Sequence, residues 1–180
     1  MKAGQSLVFD IEEIKSQQQA MARLGREVRG AVLASGFEIE YIIDQLLVQA
    51  LLPDASSSKD AREVFDDSIL KRGPLRFAQK VRVLRAFRER MPALANVLSD
   101  EALARIDRVR VLRNDFAHYP VSLLPEGEEP IRKLRPVLCG AEKDTALDEA
   151  GISAIYSLLR GLTEELNESL RTLNGEKAAV

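Results

Sequence analysis

The stretch of this sequence best suited to chemistry is RNDFAHYP, residues 113 to 120, which contains the only histidine of the chain. Arg113 and Asn114 are adjacent, and His118 follows four residues after Asn114. A histidine transfers protons near neutral pH, and an arginine binds a phosphate through two parallel N–H donors. Arg113, Asn114 and His118 are therefore candidate catalytic residues, and the alternative is that they form the polar end of a helix.

The three candidates fall at the end of a predicted helix. Ser99 is a favourable N-cap, and Pro120 forces the residue before it out of helical geometry. Asn114 and His118 are one helical turn apart, so their side chains can touch. With Asp107 and Val111 they form a narrow seam, for which we predict a two-fold homodimer contact. A histidine in the last turn of a helix is also a common capping group, and that interpretation stays open.

Arg113 occupies an unusual place on the same helix, because it falls on the apolar arc between Ala102 and Ile106. A buried and unpaired charge is very costly, so this arginine must be paired, reach solvent or line a cleft. Glu38, beside the apolar stripe of a strong earlier helix, is its candidate structural ion-pair partner. Arg113 is therefore either half of a buried salt bridge or a residue that lines a cleft or reaches solvent.

A helical chain whose late helix ends in Arg-Asn-x-x-x-His resembles the HEPN superfamily, and GPLRFAQKVRVL resembles the mannitol operon repressor family, a HEPN-like group. The resemblance extends loosely over residues 27 to 173. It implies metal-independent RNA cleavage, in which the 2′-hydroxyl attacks the adjacent phosphate and leaves a cyclic phosphate and a free 5′-hydroxyl. In that mechanism His118 transfers protons, Arg113 binds the phosphate, and Asn114 orients His118 or the phosphate. The sequence departs from the family pattern at Tyr119, which follows His118 directly. Related toxins have one residue between the histidine and the tyrosine.

The resemblance implies a toxin, defence or RNA-processing nuclease, with RNA as substrate and an antitoxin or regulatory protein as partner. Because the chain has one histidine, acid and base cannot both be histidines of the same subunit, and a two-fold homodimer would bring two copies together. The mannitol-repressor-like group instead implies a non-catalytic regulatory or binding module. A third hypothesis is a helical antitoxin or scaffold that docks through its C-terminal helix.

A second candidate feature is the basic run from Lys71 to Arg90, which has eight basic residues and one acidic residue. Arg82, Arg85 and Arg88 recur along one predicted helix and could bind the RNA backbone. The alternative is an ordinary solvated helix face.

Composition limits the function classes. The chain has 180 residues, one cysteine, one histidine and a net charge of −2. These counts exclude an internal disulfide and a cysteine-rich or histidine-rich metal site within one chain, and we expect no metal and no cofactor. No segment has the pattern of a signal peptide or a membrane span, so we expect a soluble cytoplasmic protein without membrane contact.

The elements that must position these residues are predicted to be helical. Apolar residues recur at steps of three and four almost throughout, which predicts an all-α bundle of four or five major helices in a single domain, residues 1 to 180. Residues 1–26 form a weakly amphipathic N-terminal helical segment, and residues 174–180 form a tail. Any β structure is expected as a small hairpin within residues 119–139. Helices are predicted over about 27–52, 61–70, 74–90, 99–118 and from 145–148 to Asn174-Gly175.

Overall fold

The computed structural model describes residues 11–52, 59–71, 75–126, 133–140 and 144–175. Over these residues the chain forms six α-helices, one π-helical turn and three short strands. The mainly helical pattern confirms the predicted all-α bundle. Pro74, which was predicted to begin a helix, and the last five residues of the tail lie outside the described part of the chain.

The bounds of the elements follow in chain order. The helices are α1 (Ile11–Leu51), α2 (Lys59–Phe65), the π-helical turn (Asp66–Lys71), α3 (Phe77–Arg90), α4 (Pro92–Val97), α5 (Asp100–His118) and α6 (Glu149–Leu173). The strands are β1 (Val121–Glu126), β2 (Lys133–Leu138) and β3 (Thr145–Ala146).

Helix α1 is continuous over 41 residues. The weakly amphipathic segment predicted for residues 1–26 and the helix predicted from residue 27 are therefore, from Ile11 onward, parts of one helix. No proline interrupts the helix, and the glycines within it lower helix propensity without breaking the chain of hydrogen bonds. Beyond Arg26 its apolar stripe becomes fully buried, for example at Val32, Ile39 and Leu46. This half of α1 packs against α3, α5 and α6 and forms the centre of the bundle.

The predicted ends of α5 and α6 are confirmed by their capping contacts. Ser99 Oγ accepts a hydrogen bond from the Ala102 N–H at 2.9 Å, and Tyr119 is extended, with φ −110° and ψ 146°. Helix α6 begins after Asp148, whose carboxylate accepts from the Gly151 N–H at 2.7 Å. It ends before Asn174, and Gly175 adopts the left-handed φ of 73° that favours glycine.

The predicted hairpin is present as an antiparallel pair, with Val121 opposite Leu138. The expectation that β structure ends by Cys139 was wrong, because β3 pairs with the other edge of β2 and places Val137 opposite Ala146. The reason is burial: Leu138 and Leu147 enter the core on either side of this pairing, which brings residues 145–146 beside β2. The three strands form a short sheet at the end of the bundle. None of the described helices is long and apolar enough to cross a membrane.

Candidate functional site

Arg113 lies in a half-buried position between aromatic rings. Its guanidinium carbon is 4.5 Å from the ring centroid of Phe37 on α1 and 5.6 Å from that of Phe77 on α3. Its Nη1 atom is 3.4 Å from Oε2 of Glu40, and only 20% of its side chain is exposed. Cation–π contacts and an ion pair therefore stabilise the positive charge of Arg113, although this residue lies on the apolar arc of α5.

The ion-pair partner of Arg113 is Glu40, and the assignment to Glu38 was wrong. Residues two positions apart on a helix point about 160° away from each other, so only one of the two can face α5. Glu38 lies on the exposed side of α1, whereas Glu40 follows one turn after Gly36, the residue on which the Arg113 side chain packs.

Glu40 also connects Arg113 to a second buried cation. Lys80 Nζ lies 3.0 Å from Oε1 of Glu40 and 2.8 Å from Oδ2 of Asp44. The side chains of Lys80 and Asp44 are each only 5% exposed. Lys80 therefore lies in the interior and does not join the predicted surface for phosphates. The four residues Arg113, Glu40, Lys80 and Asp44, called here the charge cluster, join α1, α3 and α5.

Asp44 is the strained member of the charge cluster. Burial raises the pKa of its carboxyl above the ordinary value, and the hydrogen bond and charge of Lys80 oppose that rise without cancelling it. The nearby carboxylates of Glu40 and Asp66 raise the pKa further. Oδ1 of Asp44 is buried and has no hydrogen-bond partner among the described residues. The site therefore carries an electrostatic cost that favours the protonated acid.

Asn114 and His118 lie apart from this cluster. Both are exposed, and they share one face of α5 one turn apart, as predicted. Residues five apart on a helix point about 140° away from each other, so His118 faces solvent while Arg113 faces the junction of α1 and α3. Within one chain the structure does not bring the three candidate catalytic residues to a common point.

The three candidate phosphate-binding arginines lie along α3, and two of them are engaged by acids of α5. Arg85 pairs with Asp107, which is also 3.1 Å from Nε of Arg110. Arg88 pairs with Asp100 at 2.6 Å and donates to the Leu98 carbonyl. Arg82 is exposed, one turn before Arg85. These ion pairs reduce the positive potential that the sequence alone suggested.

A groove beside the end of α5 was not anticipated from the sequence. Its volume is about 610 Å³, and the charged residues that line it are Arg26 and Arg29 of α1, opposite Pro120 and Ser122. Arg29 donates to the Tyr119 carbonyl at 2.9 Å, which fixes it against the residue that follows His118. The available sequence signal was two arginines three residues apart, Arg26 and Arg29, where the weakly amphipathic segment meets the strong helix, but only the tertiary contact relates them to His118.

Among the described residues no three histidine, cysteine, aspartate or glutamate side chains are placed to hold a metal ion. Cys139 is a free, partly buried thiol.

Comparisons of the chain with protein-family models, with curated proteins and with solved structures find no match.

Proposed function

We propose that this chain is a HEPN-like regulatory module that acts by binding a partner in the cytoplasm, and that its Arg-x4-His motif does not form a nuclease site. The observation that carries the proposal is the setting of Arg113. Its guanidinium lies between Phe37 and Phe77 and pairs with Glu40. A phosphate would have to displace that carboxylate and enter between the rings.

The charge cluster gives Arg113 an adequate structural role. It shares Glu40 with Lys80, and Lys80 in turn neutralises Asp44. Removing Arg113 leaves Glu40 with Lys80 alone, and removing Lys80 takes from Asp44 the cation bound to it, so each loss is destabilising. An arginine that supports three helices in this way would be retained by a module that performs no catalysis.

The proposal is tested with purified protein and a fluorescently labelled single-stranded RNA. We expect wild type and His118→Ala to leave the RNA intact, and Arg113→Ala to unfold at lower denaturant concentration. Cleavage by wild type that His118→Ala abolishes, with unchanged circular dichroism, would contradict the proposal.

The second candidate function is a metal-independent endoribonuclease, and one observation favours it. Asn114 and His118 are exposed on the same face, and Arg29 is held against Tyr119 beside them. In this hypothesis His118 transfers the proton, Asn114 orients it, and the cation at the phosphate is Arg29 or Arg26 in place of Arg113. A partner chain meeting the α5 seam would supply the second histidine.

The nuclease hypothesis predicts which arginine substitutions abolish RNA cleavage. Arg29→Gln and His118→Ala would each abolish cleavage, whereas Arg82→Gln would weaken RNA binding only slightly. If cleavage survives Arg29→Gln but is lost in a folded Arg113→Lys variant, then Arg113 is the phosphate ligand despite its contacts.

A further inference from the structure

The groove between α1 and β1 is lined by two arginines and by no acidic residue. Arg26 is exposed and Arg29 is half-buried. Among the residues that the structure describes, no carboxylate forms an ion pair with either of them. Arg23, one turn before Arg26, is different, because Glu27 lies 2.8 Å from its Nε atom. The groove therefore carries positive charge that the surrounding side chains do not neutralise.

The sequence of α1 explains why these two charges stay unpaired. Side chains on a helix meet those three and four positions away. At these distances from Arg26 and Arg29 the sequence has alanine, valine, leucine, glycine and arginine, and no acidic residue. The two arginines are themselves three positions apart, so they project from the same side of the helix. One anion in the groove can therefore contact both guanidinium groups.

Arg29 is held in place by a neutral partner. Its Nη2 atom donates to the Tyr119 carbonyl at 2.9 Å. Its Nε atom is buried and has no hydrogen-bond partner in the described part of the chain. The carbonyl fixes the guanidinium without cancelling its charge, and a half-buried cation without a counter-charge costs free energy. An anion would remove that cost and would find the guanidinium already ordered, so little side-chain entropy is lost on binding.

Gly25 sets the distance between the two walls of the groove. This glycine is buried, and a Cβ atom added to it would lie 3.3 Å from Cγ2 of Val121. Val121 packs against the core, so the wall formed by β1 is anchored. Met21 and Ala22 add apolar surface beside the arginines. The volume of about 610 Å³ lies within the range of about 300–1,000 Å³ that is usual for small-molecule pockets.

The charge and the donors of this groove match a phosphate monoester. At neutral pH a monoester carries about −1.5 to −2 charges and has three terminal oxygens that accept hydrogen bonds. Each phosphodiester of RNA carries a single negative charge, and so does a carboxylate. Two arginines provide enough N–H donors for all three oxygens of the monoester and balance its double charge.

We infer that the groove between α1 and β1 binds a small organic phosphate monoester, with the phosphate between Arg26 and Arg29 and the organic part against Met21 and Val121. The inference rests on the proposed function, because it names the class of small molecule that the regulatory module binds. It differs from the nuclease hypothesis, in which the same arginines would contact a phosphodiester.

Isothermal titration calorimetry of the full chain tests the ligand class. The probe is phenyl phosphate, and the matched comparisons are methyl phenyl phosphate, which is a monoanionic diester, and benzoate. We expect phenyl phosphate to bind with a dissociation constant below about 1 mM, and each comparison to bind at least about tenfold more weakly. Inorganic phosphate should bind more weakly than phenyl phosphate, since it lacks the apolar part.

Three substitutions test the position of the site. Arg26→Gln and Arg29→Gln should each raise the dissociation constant of phenyl phosphate about tenfold or more. Ala22→Phe should do the same by filling the groove without a change of charge. Arg23→Gln is the matched control, because Arg23 lies on the same helix outside the groove lining, and we expect it to bind as wild type does. Arg26 and Ala22 are exposed, so these variants should fold, which circular dichroism checks.

Phenyl phosphate that does not bind, or that binds equally well to Arg26→Gln and Ala22→Phe, would overturn the inference. Equal affinity for the diester would do so too. Absence of binding while RNA stays intact would leave the proposed function standing, so the two failures are distinguishable. A 5′-hydroxyl RNA oligonucleotide that binds more tightly than phenyl phosphate, and loses its affinity in Arg29→Gln, would overturn the inference in favour of the nuclease hypothesis.

Discussion

The guanidinium carbon of Arg113 lies 4.5 Å from the ring centroid of Phe37, so the arginine of the Arg-x4-His motif is stacked on an aromatic residue of another helix. Because of this contact, Arg113 of the motif is part of the packing between α1 and α5. The contact also allows the structural role of Arg113 to be measured separately from any role in catalysis.

Substitution of Arg113 should destabilise the fold. Arg113→Ala removes the stack and the ion pair with Glu40, and we expect the free energy of unfolding to fall by roughly 2–3 kcal/mol. The loss stays below that for a fully buried pair because Glu40 retains Lys80. Arg113→Lys should lose about half as much, since lysine keeps the charge but not the planar stack. Urea denaturation measures both variants, with exposed His118→Ala as a control expected within about 0.5 kcal/mol of wild type.

Substitution of Lys80 should cost more than substitution of Arg113. Lys80→Ala leaves Glu40 and Asp44 together in the interior with a single nearby cation, and we expect a loss of about 3–5 kcal/mol in the same denaturation experiment. Lys59→Ala is the control, because the Lys59 ion pair with Glu63 is 86% and 65% exposed and should contribute almost nothing. Equal stability of Lys80→Ala and wild type would show that the carboxylates are hydrated or protonated in the fold.

The pH dependence of stability should carry a contribution from Asp44 of a definite sign. Since burial raises its pKa in the folded state, the folded chain holds a proton that the unfolded chain has already released. The contribution to unfolding free energy is therefore greatest below the ordinary aspartate pKa of about 3.9 and is lost as pH rises through the raised folded value.

Asp44→Asn removes this contribution. Denaturation at a series of pH values should show that the stability of wild type minus that of Asp44→Asn decreases from about pH 3 towards neutrality. A difference that increases with pH would mean that the ion pair with Lys80 outweighs burial.

Gly36 should resist substitution although it lies within a helix. Replacing glycine by alanine in a helix ordinarily stabilises by about 1 kcal/mol. A Cβ at Gly36, however, would lie 2.9 Å from Cδ of Arg113, so the arginine side chain would have to shift against Phe37. We expect Gly36→Ala to be net destabilising and Gly161→Ala, where the Cβ meets open space, to be stabilising. In an Arg113→Ala background Gly36→Ala should become stabilising too, which a double-mutant cycle would detect.

Much of the local structure followed from the sequence. Ser99 and Pro120 delimited α5, Asn174-Gly175 delimited the end of α6, and the steps of three and four along α1 identified its buried stripe. These features depend on hydrogen bonds and sterics within a few residues, so they can be predicted without knowledge of the rest of the fold. The anomaly of Arg113 on an apolar arc was equally visible, because helical periodicity alone reveals it.

Tertiary packing decided the rest. It selected Glu40 over Glu38 as the partner of Arg113, brought Lys80 inside, and paired Arg85 and Arg88 with α5. It also added β3 to the hairpin and left Phe37 and Tyr41 exposed. Each of these outcomes depends on the rotation of one helix against another or on contacts distant in sequence. A rotation of less than half a turn about a helix axis exchanges a buried carboxylate for an exposed one, and local sequence preferences do not determine that rotation.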